Sequence, residues 1–150
     1  MNIYSYLKKD HKKVAAMMDE LLESGKARRL ELFEEIKTEL LLHAKTEQET
    51  FYKALEDRKQ TGEWIEEAEK EHKEIEKYLK KLDALPFNSE EWIEQFGEFK
   101  HSVSHHVEEE EEIIFEKAKK ILSDKQSNEL ATEMDELKHD PKIVKKVQAA

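Results

Sequence analysis

His43 and Glu47 lie four residues apart, and the same pair recurs as His106 and Glu110. The apolar residues leading into each pair recur with it: Phe33, Ile36 and Leu40 are matched 63 residues later by Phe96, Phe99 and Val103. On an α-helix, residues four apart stack on one face a turn apart, so each pair offers an imidazole nitrogen and a carboxylate oxygen to a single ion. Two such grips in one chain point to a two-metal centre. Iron accepts imidazole and carboxylate together, and a carboxylate can bridge two ions while each keeps terminal imidazoles; manganese suits the same donors.

These residues must be carried by helices, and the apolar spacing predicts four long ones. The first seam runs Leu7, His11, Val14, Met18, Leu21 and stops at Ser24-Gly25. The second runs Phe33, Ile36, Leu40, His43, Glu47, Phe51, Leu55 and ends near Lys59 to Gly62. The third runs Ile65, Ala68, His72, Ile75, Leu79, Leu82 ahead of Pro86. After a turn in which Ser89 is a helix cap, the fourth runs Phe96, Phe99, Val103, His106, Glu110, Ile113 and on toward Ile121. A weaker amphipathic stretch, Leu130, Met134, Leu137, breaks before Pro141. The expected fold is all-α: an up-down-up-down four-helix bundle over residues 1–122, with an additional C-terminal peripheral helix in a 123–150 extension of the same domain.

His11 and His72 occupy core positions of the first and third seams, and simple geometry tests whether they can meet the two His-Glu pairs. Residues on neighbouring antiparallel helices share a height only when the connecting turn lies midway between them in sequence. With the pairs centred at positions 45 and 108, the midpoints fall at 28, at 58 to 59 and at 90, each on or beside a predicted turn. At about 1.5 Å of rise per residue, an error of two or three residues moves a donor by only about 4 Å. His11, His43, Glu47, His72, His106 and Glu110 are therefore expected to converge at mid-height. Burying four imidazoles and two carboxylates without compensation costs several kcal/mol, and a pair of cations supplies the compensation.

The alternative choice of His105 with Glu109 keeps the spacing but leaves the seam, which steps from Val103 to His106. His101 and His105 are read as off the seam, available as outer partners or replacement ligands, and His139 as a surface residue. Glu69 and Glu76 lie one turn either side of His72 but off its seam, and are not taken as ligands. The run Glu108 to Glu112 is a solvated acidic face from which the seam selects Glu110.

Composition narrows the field further. Among 150 residues, 37% are hydrophobic and 41% charged, with three Gly and two Pro, a balance that suits long helices in one domain. The absence of cysteine removes disulfides, thiolate nucleophiles and cysteine-bound clusters, leaving nitrogen and oxygen as metal donors. A formal net charge of -10 opposes phosphate backbones and anionic lipid, so no nucleic acid and no membrane partner is expected. With no apolar run of about 20 residues and no secretion signal, the expected compartment is the cytoplasm.

The order His11, His43-x3-Glu47, His72, His106-x3-Glu110, with the pairs Asp10-His11 and Glu71-His72, resembles the hemerythrin-like, or HHE cation-binding, family over about residues 3 to 122. The resemblance implies a non-haem di-iron centre with a bridging oxide or hydroxide, held by those six residues. Two departures stand out. Family members often carry Pro after the aromatic that follows the motif, where this chain has Lys53 after Tyr52 and Glu116 after Phe115. Oxygen-carrying members use a second His four residues along the third helix, where this chain has Glu76. One fewer imidazole leaves an additional open position, which favours oxidation chemistry or sensing over reversible oxygen carriage. The expected function is to bind or react with oxygen, nitric oxide or peroxide in sensing or stress response. The alternatives are iron storage or delivery and a di-iron peroxidase or catalase-like enzyme.

Overall fold

The computed structural model describes residues 1–149. Asn2 starts the first helix: its side chain accepts a hydrogen bond from the Ser5 amide, and α1 runs Ile3–Glu23. The Ser24 hydroxyl donates to the Glu20 carbonyl where the helix stops. The second helix, α2, is one rod made of Lys26–Glu47, a π-helical turn Gln48–Tyr52 and a last turn Lys53–Leu55. The Thr61 hydroxyl donates to the Leu55 carbonyl at 2.7 Å and closes the connection to α3, Gly62–Ala84. Gly62 is required there, because a Cβ would stand 2.9 Å from the Glu56 carbonyl oxygen.

The turn before the fourth helix is fastened by Asn88, which adopts a left-handed φ of 65° and accepts from Arg29 Nη1 at 2.7 Å. Ser89 then caps α4 by accepting from the Trp92 amide, as its position in the sequence predicts. This helix, α4, is again a continuous rod: Glu90–Glu109, a π-helical turn Glu110–Ile114 and Phe115–Lys119. Beyond it, a Ser123 and Gln126 capping box starts α5, Asp124–Lys138. The break expected at Pro141 is the first residue of a short further helix, α6, Pro141–Gln148, a position where the missing proline N–H costs nothing.

Helices α1 and α2 pack as one pair and α3 and α4 as another, with further contacts of α1 to α4 and α2 to α3 closing a four-helix ring. Helix α5 lies across α1 and α2, and α6 against α2. The Ile3 amide donates to Ser127 Oγ and the Tyr6 hydroxyl to Asp135 Oδ1, tying α1 to α5. No strand occurs among the described residues, and no helix there is long and apolar enough to cross a membrane.

The bundle interior divides into two apolar clusters. One holds Ile3, Leu7, Phe51, Tyr52, Phe115 and Met134, and the other Met18, Phe33, Ile36, Leu79, Trp92 and Phe99. Between them lies the layer of His and Glu side chains. The π-helical turns begin at this layer and shift the register after it: the buried positions are Ile114 in α4 and Leu122 just beyond its end, where an unbroken seam predicts Ile113 and Ile121.

Candidate metal centre

The structure brings all six sequence-derived residues together: His11 from α1, His43 and Glu47 from α2, His72 from α3, His106 and Glu110 from α4. Every one is buried, and both carboxylates are fully so. Glu110 Oε1 lies 3.3 Å from His11 Nε2, and its Oε2 lies 3.6 Å from His106 Nε2. Glu47 Oε1 lies 3.4 Å from His43 Nε2 and 3.3 Å from His72 Nε2. Each carboxylate thus stands between a histidine of one half and a histidine of the other. Two sets of donors result, His11, His43, Glu47 and Glu110 in one and Glu47, His72 and His106 in the other, each close enough to hold one ion.

The donor atoms themselves show what the layer is built to take. His11 Nε2, His43 Nε2, both oxygens of Glu47 and Glu110 Oε1 are buried and have no hydrogen-bond partner. Orphaned polar atoms at this density are rare in a folded interior and cost about 1 to 3 kcal/mol each. A pair of divalent or trivalent cations satisfies all of them at once, and the nitrogen and oxygen set suits iron or manganese.

The outward-facing imidazole nitrogens are held by a regular pattern of braces. His43 Nδ1 lies 2.9 Å from Asp10 Oδ2, His106 Nδ1 2.7 Å from Glu71 Oε1, His11 Nδ1 2.7 Å from Glu111 Oε2, and His72 Nδ1 3.1 Å from the Gln48 carboxamide. In every case the brace is the sequence neighbour of a different candidate ligand. Asp10 precedes His11 but holds His43, and Glu71 precedes His72 but holds His106. Gln48 follows Glu47 and holds His72, while Glu111 follows Glu110 and holds His11. Each helix therefore supplies a donor and fixes the ring on its neighbour, and a carboxylate on Nδ1–H leaves the Nε2 lone pair aimed inward.

Electrostatics follow from this packing. Burial alone pushes the His43 imidazole down, but the charge of Glu47 and the hydrogen bond to Asp10 outweigh it and raise its pKa to about 10. Burial likewise opposes protonation of His106, whose pKa is nevertheless raised by Glu71, Glu110 and Glu47. The Glu47 carboxyl is penalised by burial yet held well below its usual range by His43 and His72. Asp10 is lowered in the same way, burial being overcome by His43 and Lys138.

His101, His105 and His139 are exposed and outside the cluster. His105 Nε2 lies 3.3 Å from Glu109 Oε2 and 3.9 Å from Glu71 Oε2, so it flanks the brace of His106. The residues that sequence reasoning missed are Gln48, Glu111 and Tyr52. Gln48 and Glu111 could have been found, since they are each other's counterparts in the 63-residue repeat and both follow a Glu of the motif. Tyr52 is fully buried and its hydroxyl donates to Glu110 Oε2.

On the side away from Tyr52 the layer meets a cavity of ≈ 30 Å³. All four imidazoles line it, while its walls are apolar, among them Val14, Leu40, Leu79 and Val103. Glu76, exposed on α3, stands at its edge. A single water needs about 10 to 15 Å³ measured this way, so the space is that of two or three waters.

Against known families, the hemerythrin HHE cation-binding domain matches residues 2–118. The chain belongs to this family. A solved HHE cation-binding domain-containing protein from Mycobacterium kansasii has the same fold, with a TM-score of 0.82 over 99% of this chain and 88% of that one, at 22% identity. The likeness therefore includes α5 and α6, which lie beyond the matched HHE region. A protein named as a DNA nickase in Nostoc sp. (strain PCC 7120) is 28% identical over 134 residues, 89% of this chain, and the chain spans 38% of that relative's length. For an HHE domain, a layer of His and Glu able to hold metal is the expected working part, and this chain has it.

Proposed function

We propose that this HHE domain holds two iron ions in its buried layer, one between His11 and His43 and one between His72 and His106. Glu47 and Glu110 are shared between them. The observation that carries this reading is the set of unpartnered donor atoms converging from four helices between two halves of the core. A bound iron pair supplies one- and two-electron redox change and open positions for a small ligand.

The chain's own residues do the rest. Asp10, Glu71 and Glu111 hold three imidazole rings in the tautomer that presents Nε2, and Gln48 fixes the fourth. The apolar cavity excludes charged and bulky molecules and admits oxygen, nitric oxide or peroxide to the histidine face. With Glu76 in place of a fifth imidazole, the reading favours sensing or stress chemistry of these ligands over oxygen carriage. DNA nicking, named for the longer Nostoc relative, is not carried over, because a formal net charge of -10 works against a phosphate backbone.

Protein purified from iron-supplemented cells tests the proposal by metal analysis, optical spectroscopy and ligand addition. Two irons per chain are expected, with a spectral change on adding nitric oxide or oxygen that ends at one equivalent. Sustained consumption of many equivalents of peroxide would replace sensing with a peroxidase or catalase-like role. Iron that a mild chelator strips within minutes would replace both with iron delivery.

A further inference from the structure

A second opening reaches the layer, and its lining is of the opposite kind to the apolar cavity. Between α1 and α4 lies a groove of ≈ 310 Å³, bordered by Ala15 and Ser104 and by the carboxylates of Glu108, Glu111 and Glu112. Glu108 and Glu112 are exposed, and no lysine or arginine lines the groove. His11 lines it too, and lines the apolar cavity as well, so its ring stands between the two spaces. That side chain is only 6% exposed, with Nδ1 2.7 Å from Glu111 Oε2 and Nε2 without a hydrogen-bond partner. Glu111 therefore has two roles, as the brace of His11 and as a carboxylate of the groove.

The internal repeat shows that this concentration of charge is no by-product of the His-x3-Glu motif. The 63-residue offset that maps His43 onto His106 also maps Lys45, Gln48 and Glu49 onto Glu108, Glu111 and Glu112. In the first copy Lys45 pairs with Glu49 at 2.9 Å and Gln48 is neutral, so the three positions carry no net charge. In the second copy every one of them is a carboxylate. A solvated helix face needs polar groups but not an uncompensated set of one sign, and the balanced first copy meets that need with a pair.

We propose that this groove is the route by which a hydrated divalent cation reaches the layer, concentrated by Glu108 and Glu112 and passed by Glu111 to His11, while neutral ligands use the apolar cavity. The inference rests on a layer that holds metal, as read above, and not on the number of ions in it. Size separates the two openings as well as charge. An ion that arrives with about six waters needs roughly 60 to 90 Å³ by the measure used for a single water, which the groove supplies and the cavity of ≈ 30 Å³ does not. Carboxylates lining a concave entrance raise the local concentration of a dication and leave that of an uncharged molecule unchanged. Along the route the ion exchanges water for carboxylate oxygen and then for imidazole nitrogen, with no change in oxidation state.

Stopped-flow mixing of stripped protein with Co2+, whose visible bands report imidazole binding, measures the loading rate. Glu108→Gln combined with Glu112→Gln is expected to slow loading about five- to tenfold at low salt, with the difference closing as ionic strength approaches about 1 M. The final Co2+ count per chain is expected to be unchanged, as is the rate at which the iron-loaded variant binds nitric oxide. Glu129→Gln combined with Glu133→Gln removes the same charge from α5, and is expected to alter loading less than about twofold. A groove variant that loads at the wild-type rate, equal slowing by both pairs, or nitric oxide binding slowed as much as Co2+ loading would overturn the proposal. The final count is read separately. One ion per chain with groove-dependent loading defeats the two-ion reading and sustains the route, and no uptake at all defeats both.

Discussion

The histidines of this layer are set by residues that sequence order assigns to other partners, and their protonation sets how metal binds. In protein stripped of metal, the raised pKa of His43, about 10 against an ordinary 6.5, keeps a proton on a ring that must give it up to an ion. Metal affinity is therefore expected to rise with pH, by about tenfold per unit for each proton displaced, up to about pH 10. Calorimetry in buffers of different ionisation enthalpy reads the released protons, and a pH-independent affinity between 7 and 9 would contradict it. The same shift fixes the sign for the stripped fold. A raised histidine contributes stability that is fully present below pH 6.5 and is lost as pH climbs through about 10. The lowered Glu47 and Asp10 contribute above 4.5 and 3.8, and this is lost on acidification through their folded values. Urea unfolding of stripped protein should accordingly weaken on both flanks. Glu71→Gln, which removes the charged brace from His106 at 2.7 Å, is expected to lower metal affinity about 10 to 100-fold without unfolding the bundle. Competition against a chelator measures it, and an unchanged affinity would show that the brace does nothing for the ligand.

At the scale of the element, caps and turns carry stability while the interruptions in the helices position chemistry. Ser89 accepts from the Trp92 amide at 3.1 Å, far along α4 from the metal layer. Ser89→Ala is expected to cost about 1 kcal/mol in urea unfolding and to leave metal stoichiometry unchanged, so a change in iron content would show that the ends and the middle of α4 are coupled. The turns at Ser24-Gly25, Lys59 to Gly62 and Asn88-Ser89 were legible because Gly, Pro and capping residues mark them, and the convergence of six donors followed from their midpoints. What a constant 3.6-residue period cannot show is a π-helical turn. It treats Glu110 and Ile113 as one seam, whereas the inserted residue hands burial to Ile114 and Phe115. In α2 the same insertion places Tyr52 beneath Glu47, so a buried side chain whose hydroxyl donates to Glu110 fell outside a reading built on steps of three and four. The braces were hidden for a different reason: their partners sit on neighbouring helices, and sequence adjacency points to the wrong ring.

Across the whole molecule, the two apolar clusters lie on either side of the polar layer, and a chain of contacts runs from the C-terminal extension into it. Lys138, the last residue of α5, bonds Asp10, its ammonium lying 5.0 Å from the centre of the Tyr6 ring, and Asp10 accepts from His43 Nδ1. Helix α5 lies outside the matched HHE region yet reaches a candidate ligand through one intermediary. The lysine charge offsets that of Asp10 and so limits how strongly the carboxylate draws the Nδ1 proton. Without it, Asp10 makes the imidazole a more electron-rich donor, which would favour the ferric state of an iron held by His43 as proposed. Lys138→Met is therefore expected to lower the midpoint potential, on the order of 40 mV for about 1 kcal/mol in a one-electron couple. Asp10→Asn removes the negative charge altogether and is expected to raise it. Opposite signs from two substitutions along one line of contacts distinguish electrostatic transmission from simple loosening of the ring, which would move both variants the same way. Spectroelectrochemical titration of the two variants at equal iron content decides it, and a Lys138→Met potential equal to that of the wild type would mean that α5 serves packing alone.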